Sequence, residues 1–254
     1  MFMGKIGLQL FSIRELLSDD FAGTLEKVGK IGYEGVEFAG YYNIPAKEMK
    51  KILDDTNLKA AGSHVGIDDL KNSLDRVIEY NLEIGNKNIV CPWLPVEMRD
   101  SADAYKKTAD LFNKIGDKCK SNGLQFGYHN HEFELEKFDG IYGLDILVSN
   151  TQPELLHMEL DTFFFDYCGL KAVDFIEKYG ERCSLLHIKD MKSKEEKVST
   201  IVGSGTIDFT EVLSLGSKLN TSWYIIEQEE FEKPQLQSIE ESFNNLKNIM
   251  AKIK

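Results

Sequence analysis

The stretch Gly127-Tyr-His-Asn-His-Glu-Phe-Glu134 begins as a β-prone run and ends in imidazoles and carboxylates. Three later segments repeat the pattern: His157-Met-Glu-Leu-Asp161, Leu185-Leu-His-Ile-Lys-Asp190 and Trp223-Tyr-Ile-Ile-Glu-Gln-Glu229. Each is a short apolar or β-prone run that delivers an ionisable side chain at its end. Parallel strands alternating with helices bring such ends to one face of a closed barrel, so four distant segments can build one catalytic floor. This convergence predicts an α/β chain folded as a (β/α)8 barrel.

Working outward from these four, the chain divides into about eight strand-then-helix units of roughly 32 residues. Strands are expected at Lys5 to Phe11, Gly35 to Phe38, Lys59 to His64, Asn88 to Cys91, Gln125 to His131, Leu156 to Asp161, Cys183 to Lys189 and Ser222 to Gln228. Apolar residues at helical spacing mark the intervening helices. Phe21, Leu25, Val28 and Ile31 form one such stripe; Leu70, Leu74, Val77 and Ile84 form another. Tyr105, Ala109, Phe112, Ile115 and Cys119 line a long helix from about Ser101 to Asn122, with Gly123 where a left-handed cap belongs. Other helices are expected after Pro45, near Ile141 to Val148, through Val173 to Ile176, over Thr210 to Leu219, and around Ile239 to Ile253. No linker or shift in composition divides the chain, which predicts one domain over residues 1–254.

The 254 residues suit a barrel of this kind, and 42% hydrophobic with 28% charged residues describes a soluble globule. A net charge of -12 disfavours polyphosphate surfaces, so neither nucleic acid nor an anionic membrane is an expected partner. No apolar run approaches a membrane span, and the opening MFMGKIGLQLFSIRELL has no secretory pattern. A cytoplasmic location follows as the expectation. Cys91, Cys119, Cys168 and Cys183 lack close pairing and read as reduced, mostly buried thiols. Val202 to Phe209, VGSGTIDF, carries two glycines without the Lys-Ser/Thr ending of a phosphate loop and reads as a lid or turn.

Asp161 ends a strand of apolar and bulky neighbours, His187 stands between Leu186 and Ile188, and Glu227 follows Tyr224, Ile225 and Ile226. Buried charges need partners, and ionisable groups in three successive strands point to a shared one. Oxygen and imidazole donors without thiolate suit Mn2+, Co2+, Zn2+ or Mg2+. In the fifth segment, alternation puts His129 and His131 on one side, with Glu134 just beyond. Any of these three can complete the metal shell while the others act as base or substrate contact.

YHNHEFE, ELDTFF, HIKD, VGSGTIDF and IIEQE, together with the opening GLQLFSIRE and GYEGVEF, resemble the sugar phosphate isomerase/epimerase family of xylose-isomerase-like TIM barrels. The resemblance spans nearly the whole chain in the right order. It implies metal ligands at the ends of strands five to eight, here Glu134, Asp161, His187 and Glu227. Many members carry Glu where this chain has His129, which leaves His129 or Glu134 as the fifth-strand ligand. It also implies substrate contacts at His64, His129 and Lys189, a neighbouring role for Asp190, and weaker candidates at Glu37 and Arg14. Glu134 and Glu227 would exchange a proton through an enediolate, with His131 as an alternative base. Phe11, Trp93, Phe163 and Phe164 would wall the pocket.

The leading expectation is thus a divalent-metal-dependent isomerase or epimerase of a small keto-sugar, polyol derivative or sugar phosphate. A lyase acting from the same enediolate, like inosose dehydratases or 3-keto-glycoside lyases, is the alternative. A DNA-repair nuclease on the same barrel conflicts with the charge and with five histidines in total. A barrel that only binds sugar conflicts with a full donor set. The partner expected is a small sugar, with homo-oligomer formation left open.

Overall fold

Strand alternation sorts the chain into an inward and an outward set with different chemistry. The computed structural model describes residues 4–253, so the outermost ends of the expected 1–254 domain lie outside the described residues. Eight strands pair in parallel and in chain order: β1 (Lys5–Gln9), β2 (Gly35–Phe38), β3 (Lys59–His64), β4 (Asn88–Cys91), β5 (Gln125–His129), β6 (His157–Asp161), β7 (Leu185–Ile188) and β8 (Trp223–Ile226). β8 closes on β1, giving the (β/α)8 barrel.

Outward residues such as Leu8, Val36, Phe38, Ile89, Leu160, Leu186 and Ile226 are buried beneath the helices in one large apolar cluster. Inward residues Ala61, Val90, Leu185, Trp223 and Ile225 form a second, small cluster inside the barrel. Trp223 is the plug of that cluster. A Cβ on Gly35 would lie 2.6 Å from the Trp223 ring, so the plug requires glycine opposite it. Above this apolar floor the inward positions become ionisable.

One irregularity decides what reaches that upper layer. The β2–β3 register skips a residue, passing from Val36–Ala60 to Glu37–Gly62. A one-residue slip exchanges the two faces of a strand. Ser63 consequently turns outward, where its Oγ donates to Asn81 Oδ1 at 2.8 Å, and His64 turns into the barrel. Gly62 is needed at the skip, because a Cβ there would lie 2.2 Å from Glu37 Oε1.

The helices follow the predicted stripes with local differences. Asp20 caps Phe21–Ile31 by accepting from Gly23 N at 2.9 Å, and Ser101 caps Ala102–Ser121 by accepting from Ala104 N at 3.1 Å. The single helix expected after β3 is two, Ile67–Asn72 and Leu74–Glu83, broken at Ser73. β1 stops at Gln9 because Leu10–Ile13 winds into a 3-10 turn whose Phe11 N donates to the Gln9 side chain. β5 stops at His129, two residues early, because Asn130 Oδ1 accepts from Asp161 N at 3.1 Å and leaves the ladder. Two short antiparallel ribbons sit above the barrel: Lys137–Phe138 with Ile141–Tyr142, and Asp190–Met191 with Ser199–Thr200. All four cysteines are free, three of them buried and Cys168 exposed. Among the described residues no helix is long and apolar enough to cross a membrane.

Candidate active site

The C-terminal ends of the barrel strands carry Gln9, Glu37, His64, His129, Glu159, Asp161, His187 and Glu227, and nearly all are buried. His187 lies at the centre. Its Nε2 is 2.7 Å from Glu37 Oε2, and its Nδ1 is 3.1 Å from Glu227 Oε2. His64 Nε2 lies 2.7 Å from Glu159 Oε2 and 3.2 Å from Glu37 Oε2. Gln9 donates from Nε2 to Glu37 Oε2 at 2.9 Å. Burial alone would drive His64 down; the carboxylates of Glu37 and Glu159 outweigh it and raise the ring to about 10. The same imidazoles overcome burial at Glu37 and hold that carboxyl below its usual range. Glu159 shifts the other way, raised by burial and by the neighbouring Glu37 charge.

His129, Asp161, His187 and Glu227 each offer one ligand atom, and the four atoms lie within 4.8 Å of one another. A second group of this kind, His64, His129, Glu159 and His187, overlaps it. Asp161 divides its two oxygens between two tasks. Oδ1 accepts from Phe163 N at 2.9 Å and caps the helix Thr162–Tyr167, whereas the buried Oδ2 has no hydrogen-bond partner among the described residues. His129 Nδ1 likewise makes no hydrogen bond among the described residues, although it stands 3.3 Å from Glu159 Oε2. Orphaned buried donors and acceptors are costly unless something else engages them. Two carboxylates and two imidazoles without sulfur fit a divalent ion of the Mn2+, Co2+, Zn2+ or Mg2+ kind.

Lys189 continues the inward pattern of β7 and is 3% exposed. Its ammonium pairs with Glu229, stands 3.6 Å from Glu227 Oε2, and lies 5.2 and 5.1 Å from the Phe163 and Phe164 rings. His131 stacks on Phe133 at 5.2 Å between centroids, and its buried Nδ1 has no hydrogen-bond partner among the described residues. Burial, helped by the Lys189 charge, pushes His131 down to about 3, so its ring is neutral. A cavity of about 1080 Å³ opens onto this floor, lined there by His64, His129, His131, Lys189 and Glu227. Phe11 and Trp93 line it at the rim, both partly exposed.

The structure does not bring Glu134 to this group, which corrects the ligand and proton-transfer roles expected for it. Glu134 sits in the 3-10 turn Phe133–Leu135, where its carboxylate accepts from Tyr128 Oη and, at 2.7 Å, from His131 N. Tyr128 is an outward residue of β5, so it draws Glu134 behind the barrel wall. His129, the other fifth-strand candidate, is the one that stands among the donors. Arg14 also lies apart, its guanidinium donating to Phe11 O at 2.9 Å. Phe163 and Phe164 flank Lys189 rather than lining the cavity. Glu159 was missed, although alternation from Asp161 places it on the same inward face. Glu37, ranked low from sequence, is bonded to both His64 and His187.

Asp190 has a scaffolding position. Its carboxylate accepts from the backbone of Met191 (2.8 Å), Gly203 (2.9 Å), Gly205 (2.9 Å) and Ile207 (3.2 Å). The VGSGTIDF segment is thus a turn wrapped around an internal carboxylate, and its amides are already engaged by an anion.

The profile of a protein family described as xylose isomerase-like TIM barrel matches residues 25–249. An inosose dehydratase of Clostridium beijerinckii is 24% identical over 248 residues, covering 83% of this chain and 82% of that protein. A crystal structure of a sugar phosphate isomerase/epimerase from Parabacteroides distasonis superposes with a TM-score of 0.84 at 26% identity, covering 99% of this chain and 96% of the other. The IolI protein with a bound zinc atom superposes with a TM-score of 0.77 at 14% identity over 98% and 99% of the two chains, a likeness of fold.

Proposed function

The chain belongs to the xylose isomerase-like TIM barrel family, and from that premise we propose that this enzyme is a divalent-metal-dependent lyase of a small keto-sugar or keto-polyol. The observation that carries the reading is the convergence of His129, Asp161, His187 and Glu227 within 4.8 Å, with His129 and Glu227 lining a cavity. The isomerase expected first from sequence becomes the second reading, because several relatives matched over most of the chain are inosose dehydratases. The isomerase/epimerase reading keeps the support of the Parabacteroides structure.

His129, Asp161, His187 and Glu227 would hold the ion, with Glu37 fixing the His187 ring through its second nitrogen. A divalent ion held there would supply Lewis-acid polarisation of a substrate carbonyl, which would make the adjacent C–H acidic. His131, neutral and facing the cavity, takes that proton, with the Glu227 carboxylate offsetting part of the burial that lowers its basicity. The electron pair of the C–H bond becomes the new C=C bond, and the bond from the next carbon to its hydroxyl breaks. His64, held cationic by Glu37 and Glu159, gives its proton to the departing oxygen, so water leaves. Lys189 keeps positive charge beside the developing oxyanion. In the second reading the first step is the same, and a proton returns to carbon instead.

The test is metal-loaded protein with 2-keto-myo-inositol in deuterium oxide, followed by NMR. The lyase reading expects an unsaturated or tautomerised product one water lighter. Deuterium entering recovered ketose or an epimer, with no water lost, would establish the isomerase/epimerase reading instead.

A further inference from the structure

The cavity extends well beyond the ionisable floor. Its volume of about 1080 Å³ lies at the upper end of pockets that enclose drug-sized ligands, more than a single sugar ring occupies. The outer chamber is built by the loop after β2 and by the loop and two helices after β3, and its wall is the pair Tyr41 and Tyr80, stacked at 3.9 Å between centroids.

Both hydroxyls of this pair are committed inside the protein. Tyr80 Oη donates to Ile44 O at 2.8 Å, and Tyr41 Oη exchanges hydrogen bonds with the buried Asn81 amide at 3.1 and 3.3 Å. The wall therefore offers the cavity aromatic carbon, joined by Ile44, Val65 and Val77. The charged residues at this end, Asp69 and Arg76, are mostly solvent-exposed and 3.8 Å from each other. The loop is also held in an unfavourable backbone shape. Tyr42 and Asn43 are consecutive non-glycine residues with φ of 52° and 58°. Such strain persists where surrounding contacts impose it, and it gathers at ligand-binding segments.

We propose that the outer chamber takes a second ring, planar and largely apolar, joined through oxygen to the sugar ring that meets the ionisable floor: an aryl glycoside type of ligand. The inference rests on the floor being a sugar site. The Tyr41–Tyr80 pair offers a hydroxyl-rich second sugar no uncommitted hydroxyl, its polar partners being exposed residues such as Asn43, Asp69 and Arg76, whereas an aryl ring gains contact with aromatic faces.

The test is calorimetric titration of manganese-loaded protein with methyl glucoside, 4-nitrophenyl glucoside and cellobiose. The expected result is an affinity for the nitrophenyl compound about tenfold above the methyl one, with cellobiose close to methyl. Gly66 lines the chamber, and a Cβ there meets nothing within 4 Å among the described residues, so Gly66→Phe starts from an open position and would put a ring into the space proposed for the ligand. That variant is expected to melt like wild type and to bind both glucosides equally. Tyr80→Ala is expected to lose the preference through loss of the wall. Equal wild-type affinities, cellobiose binding tightest, or a preference that survives Gly66→Phe would overturn the inference and leave the sugar-site reading standing. Failure of all three ligands to bind would overturn both.

Discussion

Glu37 and His187, 150 residues apart, meet across the barrel with Oε2 and Nε2 at 2.7 Å, while the other ring nitrogen of His187 faces Glu227. A carboxylate on one imidazole nitrogen fixes the tautomer and orientation of the ring and strengthens the other nitrogen as a ligand. Glu37 is thereby a positioning residue for the donor group. Glu37→Gln is expected to weaken divalent-ion binding by about 10–100-fold, measured by competition with a chromophoric chelator. Unchanged affinity would remove Glu37 from the account.

Glu134 supplies a pH signature separate from the donor group. Burial pushes its carboxyl up to about 8, although hydrogen bonds from Tyr128 and the His131 amide oppose the shift. The folded pKa lies above the ordinary value of 4.5. Between those values the folded state binds more protons than the unfolded state, so stability falls as pH rises. The contribution is full below about 4.5 and lost on passing about 8. Glu134→Gln is expected to flatten this part of the urea-unfolding profile. A variant retaining the full wild-type slope would contradict the assignment.

Asp190 binds four backbone amides, and removing it leaves those donors without their acceptor. Asp190→Ala is expected to cost roughly 3–5 kcal/mol by urea unfolding, within the range for breaking a buried charged network. Gly205→Ala tests the same turn sterically, since its Cβ would lie 2.2 Å from Met191 O. Both substitutions are expected to increase proteolysis between residues 192 and 208. If both melt like wild type, the turn does not depend on this carboxylate.

Much of the architecture was legible because strand ends in a parallel barrel share one face, so local runs carry global information. β2, β3 and β4 have the bounds that the sequence indicated, and Asp161, His187 and Glu227 stand together. Glu159 was within reach, since it lies two residues before Asp161 and alternation alone points it inward. Glu134 misled for a specific reason: nothing local reveals that an outward tyrosine, Tyr128, captures it. The exchange of faces at Ser63 and His64 depends on the β2–β3 register, a property of two strands together. The outer chamber was equally hidden, because Tyr41 and Tyr80 come from different units and stack only in the folded chain.

The central claim is that His129, Asp161, His187 and Glu227 share one divalent ion. Its most direct test is metal analysis by mass spectrometry of wild type, His129→Asn, Asp161→Asn and Glu134→Gln, each purified with manganese and desalted. The account predicts about one equivalent in wild type and Glu134→Gln, and little in the other two. Full metal content in both His129→Asn and Asp161→Asn, or its loss in Glu134→Gln with the fold intact, would contradict it.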